Sequence, residues 1–277
     1  IYKLSLKNNN NKSSSTEFVK QLIKSENGIL FNNDVWNIRD LKKSLVNEKT
    51  NADCAIIGSS RVMQISSVRP IRAVANICSS LINLGVDGTS LEDYLIISEN
   101  LLGNNQKPKT ILFGIDPWIF ILNRDKRWRR HKYEFYLMKD RLEKNFKDQF
   151  FEVYYEKDSI FSKALLLNLI NQEYFNRSIQ LIFSKKNKLI EHAKQFNYEE
   201  GLEKPVILSD GSLIYSKKNL KKDFSSRANA TFNYDIKGIS NNDVISGKWY
   251  QKNTINLFNQ LVVYLKKEFE VIFIIIP

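Results

Sequence analysis

Only two cysteines, Cys54 and Cys78, occur in 277 residues. They lie far apart with no Cys-x-x-Cys pair, which argues against a disulfide framework and a cysteine metal site and leaves both expected as buried small hydrophobes. Two histidines, His131 and His192, are too few for a histidine-rich metal centre; both are expected at the surface, and no metal or cofactor is expected. A phosphate-binding loop, Gly-x-Gly-x-x-Gly and His-Glu-x-x-His are all lacking, so the common nucleotide and zinc-hydrolase signatures do not apply. No run is long and apolar enough to span a bilayer as a helix, and no internal repeat is evident. A methionine is missing from the first position, which is Ile1, and the chain closes on the apolar run from Val271 to Pro277. Both ends read as cut, leaving a signal peptide or anchor upstream of Ile1 open.

What is present suits a large globular core. Hydrophobic residues make up 43% and aromatics 12% of the chain, enough for one large α/β domain or one domain with a big insertion. The net charge of +12 suits an anionic glycan, an acidic lipid surface or nucleic acid. Lysine beside abundant asparagine and isoleucine also fits an AT-rich genome's codon bias. No recognition motif accompanies the charge, so nucleic acid ranks last among these partners.

Residues 53 to 61, Asp-Cys-Ala-Ile-Ile-Gly-Ser-Ser-Arg, are the most informative stretch. The apolar run is too short for a helix and reads as a buried parallel strand. The following Arg61-Val62-Met63-Gln64-Ile65 is expected to open a helix, so the turn presents a serine hydroxyl where open α/β sheets bind ligands. Either Ser59 or Ser60 simply caps that helix, or the turn holds a nucleophile, with helix N–H groups to support an anion.

The rest of the chain organises around this strand. Residues 7–15 form a polar linker, and 16–50 read as helices and turns with Phe18, Leu22 and Ile23 at helical spacing. Ser80 to Ser90 reads as a second strand ending in a two-glycine loop. A helix capped by Thr89 or Ser90 runs to about Leu102, with Glu92 and Asp93 in its first turn. Thr110 to Trp118 is a third strand and its loop. Basic residues 124–132 open a largely helical stretch, within which Asp210 to Tyr215 reads as a hairpin turn and strand. A helix from about Tyr250 to Glu268, with Ile255 in its apolar stripe, leads to a fourth buried strand, 271–276. The expected divisions are 1–50 (linker and helical segment), 51–120 (first part of the core), 121–248 (basic helical insertion) and 249–277 (second part of the core). Strands separated by helical stretches indicate a parallel sheet.

Three strand ends in chain order thus carry Gly58-Ser59-Ser60, Asn83-Leu84-Gly85-Val86-Asp87-Gly88 and Gly114-Ile115-Asp116-Pro117-Trp118. This arrangement resembles the SGNH (GDSL-like) hydrolase superfamily, and within it the extracytoplasmic branch of polysaccharide O-acyltransferases and D-alanyl-transfer-like proteins. The resemblance covers roughly residues 50–120 and 250–277. It implies a three-layer, flavodoxin-like α/β fold around a parallel sheet, here with a helical basic insertion. It implies Ser60 as nucleophile, Gly58 as the residue that gives the turn room, and the Ser60 and Gly88 N–H groups as an oxyanion hole. Ile115 stands where the family has asparagine and cannot donate a side-chain hydrogen bond, so that side of the hole falls to Asp116 or the loop at Trp118. Asp116 reads equally as a turn cap before Pro117. The family's Asp-x-x-His base block does not occur in 1–277 and is expected beyond Pro277.

On this reading Ser60 attacks a carbonyl, and the acyl group passes to water or to a sugar hydroxyl. The expected partners are an acyl donor, a glycan acceptor and a membrane-bound acyltransferase, outside the cytoplasm and anchored upstream of Ile1. Arg61 and Trp118 are the candidate substrate-binding residues; Arg61 equally suits pairing with a nearby carboxylate. The basic run at 124–132, with Trp128 for stacking on a sugar or a membrane interface, suits an anionic glycan or lipid headgroup, or else is a solvated face. The rival reading is a non-catalytic glycan-binding or scaffold protein on the same fold, which Ile115 favours.

Overall fold

Cys54–Ile57 (β2) is apolar throughout and completely buried, as a strand covered on both faces must be. It lies in the middle of a four-stranded parallel sheet between Leu81–Asn83 (β3) and Thr110–Ile115 (β4), with Glu270–Ile275 (β7) beyond β4. The order is therefore β3-β2-β4-β7, as seen in a computed structural model that describes residues 15–48, 51–69, 74–120, 125–146, 190–220 and 252–275. The protein is a mixed α/β molecule with this sheet and, among the described residues, six helices: α1 (15–24), α2 (Ile38–Glu48), α3 (Leu91–Leu102), α4 (Lys132–Phe146), the short α5 (Lys217–Leu220) and α6 (Lys252–Leu265). A second, three-stranded antiparallel sheet joins Ile29–Leu30 (β1), Val206–Ile207 (β5) and Leu213–Ile214 (β6).

Alternation along the parallel strands divides the core. Ala55, Ile57, Ile82, Ile111 and Phe113 face the large cluster built with α1, α2, α3, α4 and α6. Helix α3 is buried nearly all round because it is enclosed, its polar residues Glu92, Asp93, Ser98 and Glu99 included. Its first turn carries Glu92 and Asp93 as expected, with the Ser90 N–H donating to Asp93 Oδ2 at 3.1 Å. The Arg39 guanidinium of α2 grips both Asp93 oxygens at 2.8 and 2.9 Å, locking α2 to α3 through a buried pair. Tyr94, Phe113, Phe258 and Phe120 form an aromatic cluster that ties α3, β4 and α6 together.

The other sheet face differs from expectation. Cys54, Ile56, Leu81 and Leu112 are covered there by Val62, Val74 and Cys78, which come from the β2–β3 connection. No helix opens after Ser60. Residues 59–65 form successive tight turns, with Val62, Met63 and Ile65 N–H groups donating three residues back. Among the described residues this face carries turns rather than helices.

Two expectations are corrected by packing. Cys54 and Cys78 are not free hydrophobes; they form a disulfide with a Cα–Cα distance of 5.8 Å. Cys54 begins β2, and Cys78 lies three residues before Leu81, the residue that pairs with Cys54 in the sheet. Parallel strands start at the same end, so both sulfurs meet at one sheet edge. Strand β7 is not buried: among the described residues it has one neighbour, and Phe273 and Ile275 are 47% and 83% exposed. In α6 the stripe of Leu257, Phe258, Leu261, Val262 and Leu265 is buried, while Ile255 points outward.

The disulfide closes a loop with a sequence separation of 24 residues. A constraint of that length contributes about 3 kcal/mol through the unfolded chain. Reduction, or the Cys54→Ser/Cys78→Ser double substitution, should lower unfolding free energy by about that amount, measured by denaturant titration with and without reductant. Equal midpoints would show that the disulfide does not constrain the chain.

Candidate functional site

In a parallel sheet whose chain order runs outward in both directions from adjacent strands, the ends of those strands diverge and leave a crevice. Here the adjacent strands are β2 and β4, whose chain neighbours lie on opposite sides. Their carboxyl ends carry Gly58-Ser59-Ser60-Arg61 and Ile115-Asp116, so the topology gathers the candidates read from the sequence.

Gly58 is required by close packing. A Cβ there would lie 2.9 Å from both Val62 methyls and 3.2 Å from the Gly114 carbonyl oxygen of β4. The Gly58 carbonyl accepts from Val86 N–H at 3.0 Å and Thr89 Oγ1 at 2.8 Å, which fixes the end of β2 against the β3–α3 loop. Ser59 is buried, and its Oγ accepts from the Arg61 N–H at 3.2 Å. Ser60 is half-buried; its carbonyl accepts from Met63 N–H and from the Tyr215 hydroxyl. Among the described residues its own hydroxyl makes no hydrogen bond.

Beside Ser60 three sequence candidates meet. Asp116 is fully buried, with Arg61 Nε 3.6 Å from Oδ1. The Arg61 guanidinium also lies over the Trp118 ring, 4.6 Å from its centroid. Arg61 thus faces a carboxylate, one of the two roles read for it from the sequence. Asp116 combines two roles: its carbonyl accepts from Ile119 N–H to begin the Pro117–Phe120 turn, while its carboxylate faces Arg61. Burial, together with Asp116 and Asp93, pushes the Tyr94 phenol above its ordinary range, so it stays protonated and donates to the Gly114 carbonyl.

Gly88 has a different setting. Its φ of +58° favours glycine, and a Cβ would meet Arg127 Nη2 at 2.4 Å and Asp125 Oδ2 at 2.6 Å. Arg127 also bonds the Asp87 carboxylate and carbonyl, so Gly88 sits beneath an ion-pair cluster.

That cluster revises the reading of the basic run. Asp125 caps a 3₁₀ turn, Lys126–His131. Arg127 pairs with Asp87 and Asp125, and Arg130 pairs with Asp40. Trp128 is buried against Phe135 with ring centroids 4.7 Å apart, so it cannot serve as a surface stacking platform. His131 is likewise buried rather than superficial, with Nε2 3.0 Å from Asp40. Burial alone would raise the Asp40 carboxyl, but the His131 bond and the Arg130 charge outweigh it and hold it below its ordinary range. His192 is exposed, as expected, and approaches Ser25 Oγ at 3.3 Å.

Sequence reasoning did not connect the 206–215 hairpin to the site. Its turn forms as expected, with Gly211 at φ +85°. Asp210 is buried and accepts from Ser66 Oγ, Ser67 N–H, Ser212 N–H and Ser212 Oγ at 2.6–2.9 Å. The Asp210 carbonyl accepts from Asn83 N–H, and the Met63 carbonyl from Leu213 N–H. Lys42 of α2 is completely buried and donates to the Asn83 and Gly211 carbonyls. The signal was the polar Asp-Gly-Ser triplet between apolar pairs, which marks a turn but not its docking site. A cavity between α2 and α3 is lined by Lys42, Leu84, Asp93 and Asn100, and its lining does not include Ser60, Arg61, Asp116 or Trp118.

Among the described residues no group of three or more His, Cys, Asp or Glu side chains could hold a metal ion, and no helix is long and apolar enough to cross a membrane. No family model, curated protein or solved structure matches the chain.

Burial lowers the Lys42 amine from its ordinary 10.5 to about 7, with Asp210 opposing the shift. Below about pH 7 folded and unfolded states are both charged, and burying the charge destabilises the fold in full. From there to about 10.5 the unfolded chain holds the extra proton, so stability rises with pH. The difference in unfolding free energy between wild type and Lys42→Met should move toward wild type by ~1.4 kcal/mol per pH unit across that window. A pH-independent difference would show that the amine keeps its ordinary affinity for protons.

Proposed function

We propose that the chain is an SGNH-type serine acyltransferase or esterase acting on an extracytoplasmic polysaccharide through an acyl-enzyme at Ser60. The observation that carries this reading is the half-buried Ser60 hydroxyl, without a hydrogen bond among the described residues, at the carboxyl end of β2 next to the Arg61–Asp116–Trp118 group. The strand order suits the flavodoxin-like sheet implied by the resemblance. Ser60 Oγ attacks an ester carbonyl, the acyl–oxygen bond to the alcohol breaks, and the alcohol leaves with a proton. Water or a sugar hydroxyl then attacks the acyl group and returns the proton to Ser60.

Asp116 faces Arg61 Nε at 3.6 Å. On this reading Asp116 serves the oxyanion by orienting Arg61, whose guanidinium supplies the donors. Arg61 and Trp118 together form the wall that receives the glycan. The Cys54–Cys78 disulfide supports an oxidising compartment outside the cytoplasm.

A second reading, a non-catalytic glycan-binding or scaffold protein, is favoured by the histidines. His131 pairs with Asp40 and His192 approaches Ser25, so neither bonds Ser60. The catalytic reading requires a base other than these two histidines in their present contacts.

A fluorophosphonate probe should label the wild-type protein at Ser60, located by peptide mass spectrometry. Ser60→Ala should abolish both labelling and turnover of an activated acyl ester. Absence of wild-type labelling, with glycan binding retained by Ser60→Ala, would replace the catalytic reading by the binding one.

A further inference from the structure

We infer that Tyr215 is a positioning residue that sets the orientation of the Ser60 hydroxyl from the 206–215 hairpin; this rests on the reading of Ser60 as nucleophile. The Ser60 hydroxyl makes no hydrogen bond among the described residues, so its direction is decided by the main chain that carries it. That main chain is not part of a helix or strand. It is held by tight-turn bonds, one of which, Met63 N–H to the Ser60 carbonyl, is long at 3.3 Å. The other donor to this carbonyl is the Tyr215 hydroxyl at 3.1 Å.

The hairpin grips the turn twice. Leu213 N–H donates to the Met63 carbonyl at 2.7 Å, and two residues later Tyr215 reaches the Ser60 carbonyl. Leu213 holds the Met63 end through its backbone N–H and Tyr215 the Ser60 end through its side chain, so the end of β6 holds both ends of the Ser60–Met63 turn. Fixing the Ser60 carbonyl fixes the plane of the Ser60–Arg61 peptide. That plane governs both the backbone angle at Ser60, and hence its rotamers, and the direction of the Arg61 N–H.

The hairpin is itself anchored. Asp210 accepts from Ser66 and Ser67 on the same connection, and Lys42 bonds the Gly211 carbonyl from α2. Arg69 donates to the Leu213 carbonyl at 2.8 Å. Tyr215 therefore projects from a rigid support, as a group that positions another must.

The Tyr215→Phe variant keeps the ring and removes only the donor. The full chain, wild type and variant, is reacted with a fluorophosphonate over a concentration series to separate the maximal inactivation rate from the half-saturating concentration. Hydrogen–deuterium exchange is followed in peptides covering 60–65. The variant should show an inactivation rate lowered about 10-fold, the scale of one lost hydrogen bond, at an unchanged half-saturating concentration. Amides in 60–65 should exchange faster, with protection elsewhere kept. A purely structural role would lower the melting temperature while leaving the inactivation rate of folded protein unchanged, and that result overturns the proposal. Failure of the wild type to be labelled would withdraw Ser60 as nucleophile and, with it, a positioning role toward a nucleophile. Unchanged protection of 60–65 would overturn the proposal even where labelling succeeds.

Discussion

Strand β2 is bonded to a neighbour on each side and buried on both faces, and it must stop at Gly58. A side chain there would press on Val62 and on the β4 carbonyl at Gly114. The chain turns at that point because the space beside β4 is already filled. The turn brings Ser59 and Ser60 to the crevice, and Val62 folds back to cover the second sheet face. One contact between two strand ends thus sets the exit of β2, the cover of its far face and the place of the candidate nucleophile.

Buried charge supports this arrangement where apolar packing does not reach. Arg39 and Asp93 join α2 to α3, Lys42 joins α2 to β3 and the hairpin, and Asp210 joins the hairpin to the connection after Ser60. Each group is hydrogen-bonded, the condition under which buried polar atoms are tolerated. Directional bonds suit this region, because turns lack the regular ladders that hold helices and strands. Much of the excess positive charge near Gly88 is also absorbed into pairs, with Arg127 and Arg130 held by Asp87, Asp125 and Asp40.

Elements whose signal is local were legible in the sequence. The apolar run of β2, the Ser90 start and Leu102 end of α3, strand β4 and the hairpin turn at Gly211 all lie where short-range pattern puts them. The expected helix after Ser60 did not form. Val62 and Met63 are both buried, Val62 in the far-face cluster and Met63 in the helix-side cluster, and Asn83 Nδ2 claims the Val62 and Ile65 carbonyls. Trp128 and His131, set among arginines, looked superficial because sequence neighbours do not report what packs on them. Strand β7 looked buried because its composition is apolar, yet burial also needs a second neighbour.

The sequence by itself determined the parallel sheet, the glycine that ends its central strand and the serine that follows, because each depends on residue type within a few positions. The tertiary structure decided the rest. Cys54 meets Cys78 only because β2 and β3 are parallel neighbours starting at one edge. Arg61, Asp116 and Trp118 converge only because β2 and β4 are adjacent. Tyr215 reaches Ser60 across 155 residues of chain only because Asp210 and Lys42 dock the hairpin. Such contacts join residues remote along the chain, and their distances are set by packing rather than by local propensity.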